Sequence, residues 1–439
     1  MSCAVLSSVV HALRFQEVEA GTSFRAGCAE HYPHTFSHRE WMRCFGMLDR
    51  TGLTLPFYAR LLATGDCGSF PPQTIAAFEQ RRRDNKNRME SMLGTFGQAV
   101  TALQQAFVQF VCVKGFSLFP EFAEEPWQRH QIDFDFLVAP GHGLRAQAAL
   151  EKLGYKLTAV ARDDERRLRI PASRALSRDA YLYQPQEGGA IELHSSFWES
   201  GDEKHSLSCP EGVFQQAEIH ALGPVMFPRL SQPQAFVYQV LHVFRHFLAS
   251  WARPLWLYEI ASYLNRHCAN GALWQRVDEL ISANEQIAKA TALVLLVAQE
   301  LFACPLPSAL WHHCDLPARS PIVLWVERYA RRWVLTDMPG NKLNLLLLRH
   351  FIPDDREWHR YLVGRLAPGS HRPQLCEGID PSMARSLAYR SANLRYQVSR
   401  IWHHLQTNAG VAIESVAWNR HLQSSQNAFR AMKQSRGEL

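Results

Sequence analysis

Residues 132–138, IDFDFLV, break the helical periodicity of the surrounding chain and replace it with a period of two. Successive side chains of a strand point to opposite faces. Ile132, Phe134 and Phe136 therefore share one face, and Asp133 and Asp135 share the other. The two carboxylates stand about 7 Å apart at Cβ, and facing anions at close approach repel by roughly 1–4 kcal/mol, depending on the local dielectric. The apolar neighbours anchor the strand in a core, so the pair cannot swing away. A divalent cation relieves the repulsion. Oxygen ligands on a rigid strand suit Mg²⁺, with Mn²⁺ as the alternative ion. The solvated outer face of an edge strand yields the same alternation, so the motif alone leaves both readings open.

The surrounding segments favour a site. The run 109–113 is β-branched and aromatic, a buried strand by composition, and it ends at Lys114-Gly115. There a point cation and a flexible backbone can approach phosphates. Ser117 is placed to cap a following helix, whose N-terminus would attract an anion. Residues 144–153 form an amphipathic helix stopped by Gly154, and 155–160 read as a strand. Residues 179–184 and 190–194 read as an antiparallel pair. In the second of these, Glu192 faces away from Ile191 and Leu193, so it can present a third carboxylate to the same metals. A strand, a glycine turn and a helix, then the acidic pair, then one more acidic strand is the layout of a two-metal nucleotidyl-transfer site.

On either side the pattern is helical. Helices are predicted within 36–64, where Ser37 and Glu40 make a capping box, and over about 74–110, whose apolar second half should pack on the neighbouring strands. Further helices are predicted over about 232–250, 256–267, 272–281, 285–302, 322–333, 342–351 and 381–405. The expected fold class is α+β. A small mixed sheet at 106–228 sits between a helical N-terminal region, 1–105, and a larger all-α C-terminal region, 229–439. A chain of 439 residues exceeds one ordinary core, and 47% hydrophobic with 20% charged residues is globular composition.

Composition also narrows the setting. The longest apolar stretch, 290–304, is interrupted by Gln299 and Glu300 and is too short to span a bilayer. Residues 1–15 have no basic region ahead of their apolar run, so no secretory signal is expected. The ten cysteines include no CxxC pair, which argues against a zinc ribbon or a redox dithiol. Reduced thiols and no export signal lead to a cytoplasmic expectation. The net charge of +6 is matched by the excess in 381–439 alone. There Arg385, Arg390, Arg395, Arg400, Arg420, Arg430, Lys433 and Arg436 face only Glu414 and Glu438. This basic tail is a candidate surface for a polyanion, weighed against a solvated helix face.

Three other groups carry competing readings. His242 and His246, one helical turn apart, could ligate a metal, but Val243 stands where a zinc protease needs Glu; packing histidines are the simpler account. A third reading has them lining a cleft with Glu259. Arg162, Arg166, Arg167, Arg169, Arg174 and Arg178 could meet phosphates, although Asp163, Asp164 and Glu165 dilute their charge and favour a solvated loop. Phe197, Trp198, Trp251, Trp256 and Tyr258 could stack a base or pack a core.

Taken together, VKGFSLFP, RHQIDFDFLV, ALEKLGYKL and IELH resemble the uncharacterised nucleotidyltransferase family of the DNA polymerase-beta superfamily. The matching features are Lys114-Gly115, Arg129 four residues before Asp133, Leu153-Gly154-Tyr155, and Glu192-Leu193-His194. The likeness extends over about 35–365, more loosely at the flanks. It implies transfer of a nucleoside monophosphate from an NTP to an acceptor hydroxyl. The acceptor could be a small molecule, a peptide, a protein or a nucleic acid. Asp133, Asp135 and Glu192 would be catalytic metal ligands; Lys114, Gly115, Ser117 and Arg129 would bind nucleotide, Arg129 otherwise being a surface salt bridge. Two departures are Phe116 after Gly115, where the superfamily has serine, and Glu192 in place of the commoner Asp. The rival reading is a non-catalytic nucleotide-binding or scaffold protein of a biosynthetic or regulatory system that keeps the fold.

Overall fold

The computed structural model describes residues 2–15, 35–160, 165–170, 182–183, 189–198, 212–317, 320–336, 340–367 and 386–435. Contacts divide the chain into two compact units. The first comprises 1–201, 206–244 and 253–314; the second comprises 202–205, 245–252 and 315–439.

The first unit contains the sheet. Helices α1 (Ser2–Ala12), α2 (His38–Thr51), α3 (Thr54–Thr64) and the long α4 (Pro72–Gln105) lead into β1 (Phe110–Cys112) and β2 (Asp133–Val138). Then come α5 (Gly143–Glu151), β3 (Lys156–Val160), β4 (Arg166–Arg169), β5 (Ala190–His194), β6 (Glu218–Leu222) and β7 (Val225–Arg229). The helices α6 (Gln232–Leu248), α7 (Pro254–His267), α8 (Gly271–Ser282) and α9 (Glu285–Phe302) follow. The strands form one mixed seven-stranded sheet in the order β3-β4-β5-β2-β1-β7-β6. The expected class, a small mixed sheet with helical N- and C-terminal regions, is what the structure shows.

Local chemistry explains the element ends. The Ser37 backbone N–H donates to Glu40 Oε2 at 2.8 Å, the reciprocal half of the capping box that opens α2. Pro72 occupies the first turn of α4, where its missing N–H costs nothing. Gly154 takes φ +92° just past α5, a left-handed conformation that ends the helix at little cost to glycine.

The second half of α4 lies on the sheet, as its apolar content predicts. Phe96 is the hub. Its ring sits 5.1 Å from Phe116, 5.4 Å from Phe134, 5.8 Å from Phe136 and 5.0 Å from Phe227, centroid to centroid. Phe134, Phe136, Ile191 and Leu193 belong to one buried cluster with Met92, Val100 and Leu103 of α4. One face of β2 and β5 is therefore committed to the core. Their acidic residues are left on the other.

Several elements differ from expectation. Residues 166–169, read as part of a loop, form β4 in the sheet. Strand β5 pairs in parallel with β2 and antiparallel with β4; the expected partner at 179–184 falls mostly outside the described residues, and its two described members, Leu182 and Tyr183, are helical. The hairpin β6–β7 was not anticipated. Its signal was the Gly223-Pro224 turn between two short runs, with Gly223 at φ +55°. In the second unit, the helix expected at 342–351 shrinks to the single turn Leu345–Leu348, while the one expected at 381–405 extends over Leu387–Ser435. No helix among the described residues is long and apolar enough to cross a membrane. Cys44, Cys67, Cys112, Cys268, Cys304 and Cys314 are free thiols.

Truncating Phe96 to Ala should cost about 3–5 kcal/mol, because its neighbours cannot all collapse into the space. Urea unfolding followed by far-ultraviolet circular dichroism measures that loss.

Candidate functional site

The site grows out of the β2–β5 pairing. Asp135 lies directly opposite Glu192, and Leu137 lies opposite His194, in parallel register. Since alternate residues share a face, Asp133, Asp135, Glu192 and His194 emerge on the side away from the Phe96 cluster. Donor atoms of Asp135, Glu192 and His194 all lie within 4.8 Å of one another. Glu192 thus meets Asp135, and Asp133 is outside this cluster. Asp135 is buried, while Glu192 is half-buried toward the sheet's β4 side.

Two cations and a histidine organise these carboxylates. Lys114 Nζ sits 2.6 Å from Asp135 Oδ1, and His194 Nε2 sits 2.9 Å from the same oxygen. Burial alone would raise the Asp135 carboxyl, but Lys114 and His194 outweigh it and hold the group well below the usual range. Burial likewise works against the Lys114 ammonium and is outweighed by Asp135, so the lysine stays charged. Asp133 has no such ion pair among the described residues. Burial first, then the charges of Asp135 and Glu192, push its carboxyl up to about 7. On β4, Arg167 stands beside Glu192 in antiparallel register, with Nε 3.3 Å from Glu192 Oε1 and 3.3 Å from Glu165 Oε1.

Around the acids, backbone and side chains are fastened together. Gln131 Nε2 donates to the Asp133 carbonyl at 3.0 Å, and Gln239 Nε2 donates to the Val113 carbonyl at 3.2 Å. Gly115 follows Lys114 at φ +64°, and a Cβ there would come within 2.5 Å of Gln131 Nε2. Both the conformation and the space demand glycine.

The other expected residues fall into place differently. No helix follows Ser117. It lies buried inside the four-residue 3₁₀ turn Gly115–Leu118, and its hydroxyl donates back to the Lys114 carbonyl at 3.1 Å. A turn this short, with the serine inside it, does not form the helix N-terminus that the sequence suggested. Arg129 makes an ion pair with Glu259 of α7, Nε to Oε1 2.7 Å, and both side chains are buried, which corrects the surface salt bridge. Asn85 of α4 donates to the Arg129 carbonyl at 2.9 Å and holds the segment in place. The Arg129 charge also acts on Asp133, lowering its carboxyl against the larger upward effects.

His242 packs edge-on to Trp256 and His246 edge-on to Trp251. Glu259 lines a cavity of about 660 Å³ with Arg60, Arg129 and Tyr258, and neither histidine lines it. Phe197 and Trp198 pack on Tyr238 and Phe244, and Tyr258 stacks on Phe15. Of the arginines, Arg166, Arg167 and Arg169 are strand residues, whereas Arg162, Arg174 and Arg178 lie outside the described residues. Sequence reasoning underrated Arg167 and His194. The signal for His194 was its place two residues after Glu192, on the same strand face.

The donor set suits a hard divalent cation. Asp135 and Glu192 are paired with Lys114 and Arg167, and Asp133 holds a proton near neutrality because burial first, and then the charges of Asp135 and Glu192, disfavour its ionised form. Carboxylate oxygens, with one imidazole at the edge, match the ligands that Mg²⁺ and Mn²⁺ accept.

Arg129→Met should lower stability by about 3–5 kcal/mol, because the buried Glu259 charge loses its partner. The double variant Arg129→Met, Glu259→Leu should recover most of it. Chemical denaturation of both variants measures the difference.

Neither a curated protein nor a solved structure matches the chain. A family model described as "Uncharacterised nucleotidyltransferase" matches residues 37–303, which include α2 to α9, the whole sheet and every acidic residue of the site. The chain belongs to this uncharacterised nucleotidyltransferase family.

Proposed function

We propose that the acidic face of β2 and β5 transfers a nucleoside monophosphate from an NTP to an acceptor hydroxyl. The observation that carries the reading is the meeting of Asp135, Glu192 and His194 within 4.8 Å, beside an Asp133 carboxyl raised to about 7 by burial and its anionic neighbours. Asp133, Asp135 and Glu192 would hold Mg²⁺, or Mn²⁺ in its stead. The bound ions supply Lewis acidity and charge neutralisation at the phosphoryl group in a two-metal arrangement.

The chain's own groups do the rest. Lys114 and His194 keep Asp135 ionised and fixed in orientation. Glu192 retains access to solvent and is the acid placed to take the proton of the attacking hydroxyl, while Arg167 keeps it from swinging free. The turn at Lys114-Gly115, over which the Gln131 side chain packs, would be the approach for the triphosphate once Gln131 swings aside. Ser117 supports that turn through its bond to the Lys114 carbonyl. Arg129, already paired with Glu259, contributes a positive field toward Asp133.

One observation favours the rival reading of a fold-retaining scaffold. The Lys114 ammonium already neutralises an Asp135 oxygen that a metal site would use. The two readings separate in one experiment. The purified chain is incubated with each labelled NTP, Mg²⁺ or Mn²⁺ and a cell extract, and nucleotide adducts are sought by mass. The enzyme reading expects adducts that Asp133→Asn and Asp135→Asn abolish. It also expects Glu192→Gln to slow transfer by about 10²–10⁴-fold, the usual loss for a general base. Metal-independent NTP binding unchanged in all three variants would establish the scaffold instead. The same experiment, run on candidate polyanions, tests whether the basic segment after 386 adds affinity.

The titration of Asp133 has a definite sign. Below about pH 7 its carboxyl is protonated, and a metal must displace that proton. Mn²⁺ affinity should therefore fall by about tenfold per pH unit below 7 and level off above it. Electron paramagnetic resonance of free Mn²⁺ across that range tests the slope, and a flat profile would remove Asp133 from the ligand set.

A further inference from the structure

Away from the acidic face, three side chains of the first unit converge on one point. Asp278 projects from α8, and His312 and His313 come from the short helix Trp311–Cys314. His313 Nε2 lies 2.6 Å from Asp278 Oδ1, and His312 Nε2 lies 3.3 Å from the same oxygen. The donor atoms of all three fall within 4.8 Å of one another. Asp278 lies inside the 37–303 span that the family model matches, and both histidines lie beyond it.

The arrangement is unusual for a hydrogen-bonded group. Adjacent residues of a helix project about 100° apart, yet the two imidazole centroids approach to 3.9 Å. Ser282 Oγ donates to the same Asp278 Oδ1 at 3.0 Å. Asp278 Oδ1 thus meets two hydrogen-bond donors, His313 and Ser282, which fill its roughly two lone-pair directions. His312 Nε2 approaches the same oxygen without a hydrogen bond to it, so hydrogen bonding does not account for its place in the cluster. A metal ion does account for it, because both imidazoles then turn a nitrogen lone pair to the ion and Ser282 remains to orient the carboxylate.

We infer that Asp278, His312 and His313 form a zinc site that ties α8 to the Trp311–Cys314 turn. Two imidazoles and one carboxylate are a ligand set that zinc accepts, with water in the fourth position. Ideal tetrahedral coordination separates such donors by about 3.3–3.4 Å. The longer contact, 3.3 Å, already meets this, and the shorter, 2.6 Å, must open by less than an ångström. His312 is exposed, with its side chain at 58%, so the ion has a path in from solvent and a face open to water. Magnesium is disfavoured, since two of the three donors are nitrogen.

The test uses the full chain carrying Asp133→Asn and Asp135→Asn, so that the acidic face does not compete for metal. Zn²⁺ alone is titrated by calorimetry, and Co²⁺ is used as a visible reporter of four-coordinate geometry. One equivalent of Zn²⁺ should bind, and Co²⁺ should show intense d–d absorption. His312→Ala, at an exposed position where substitution spares the fold, should abolish both. His313→Ala should do the same, while Ser282→Ala, which removes the hydroxyl that contacts Asp278 and His313, should weaken binding by about tenfold. Zn²⁺ binding of equal affinity in the parent and His312→Ala would overturn the inference, as would no Zn²⁺ binding to the parent. In either case the cluster is a hydrogen-bonded helix clamp.

Discussion

The parallel pairing of β2 with β5 governs both the core and the acidic face of the first unit. Its register sets Asp135 against Glu192, and a slip of one residue would turn every side chain of a strand to the opposite face. Apolar burial prevents the slip. Phe134, Phe136, Ile191 and Leu193 all rest in the cluster around Phe96, so the carboxylates have one face left to occupy. Core and acidic site are thus two sides of the same register.

The electrostatics derive from that crowding. Asp133 and Asp135 sit two residues apart on one strand yet behave oppositely. Asp135 has the Lys114 ammonium and His194 against it and stays ionised; at Asp133 burial and the repulsion of its neighbours prevail, and it holds its proton to about 7. Such a split is the ordinary outcome when like charges share a buried face and one of them has a partner. The cluster of Asp135, Glu192 and His194 beside Asp133 is a group that could hold a metal ion, and the chain belongs to an uncharacterised nucleotidyltransferase family.

Legibility from the sequence tracked the strength of each pattern. Strand β2 and the face of β5 were readable because Ile132, Phe134 and Phe136, and Ile191 and Leu193, alternate with acidic residues, and α9 was placed to the residue because its caps and periodicity agree. Strand β4 was lost because three of its four residues are arginine, which composition assigns to solvent; only Leu168 marks its buried side. The β6–β7 hairpin was lost because both strands are short and only Phe227 is buried. Ser117 was misread for a different reason. A serine after glycine fits a cap, but whether a helix follows depends on packing that the local sequence does not contain.

By itself the sequence determined the class of the fold and which face of β2 carries Asp133 and Asp135, because hydrophobic alternation is a local property that any single strand displays. Tertiary structure decided which strands lie side by side, that Lys114 and His194 share one Asp135 oxygen, that Arg167 guards Glu192 and that Arg129 is buried against Glu259. Those are meetings between residues far apart in the chain. Their energies come from burial and charge in three dimensions, which no window of sequence contains.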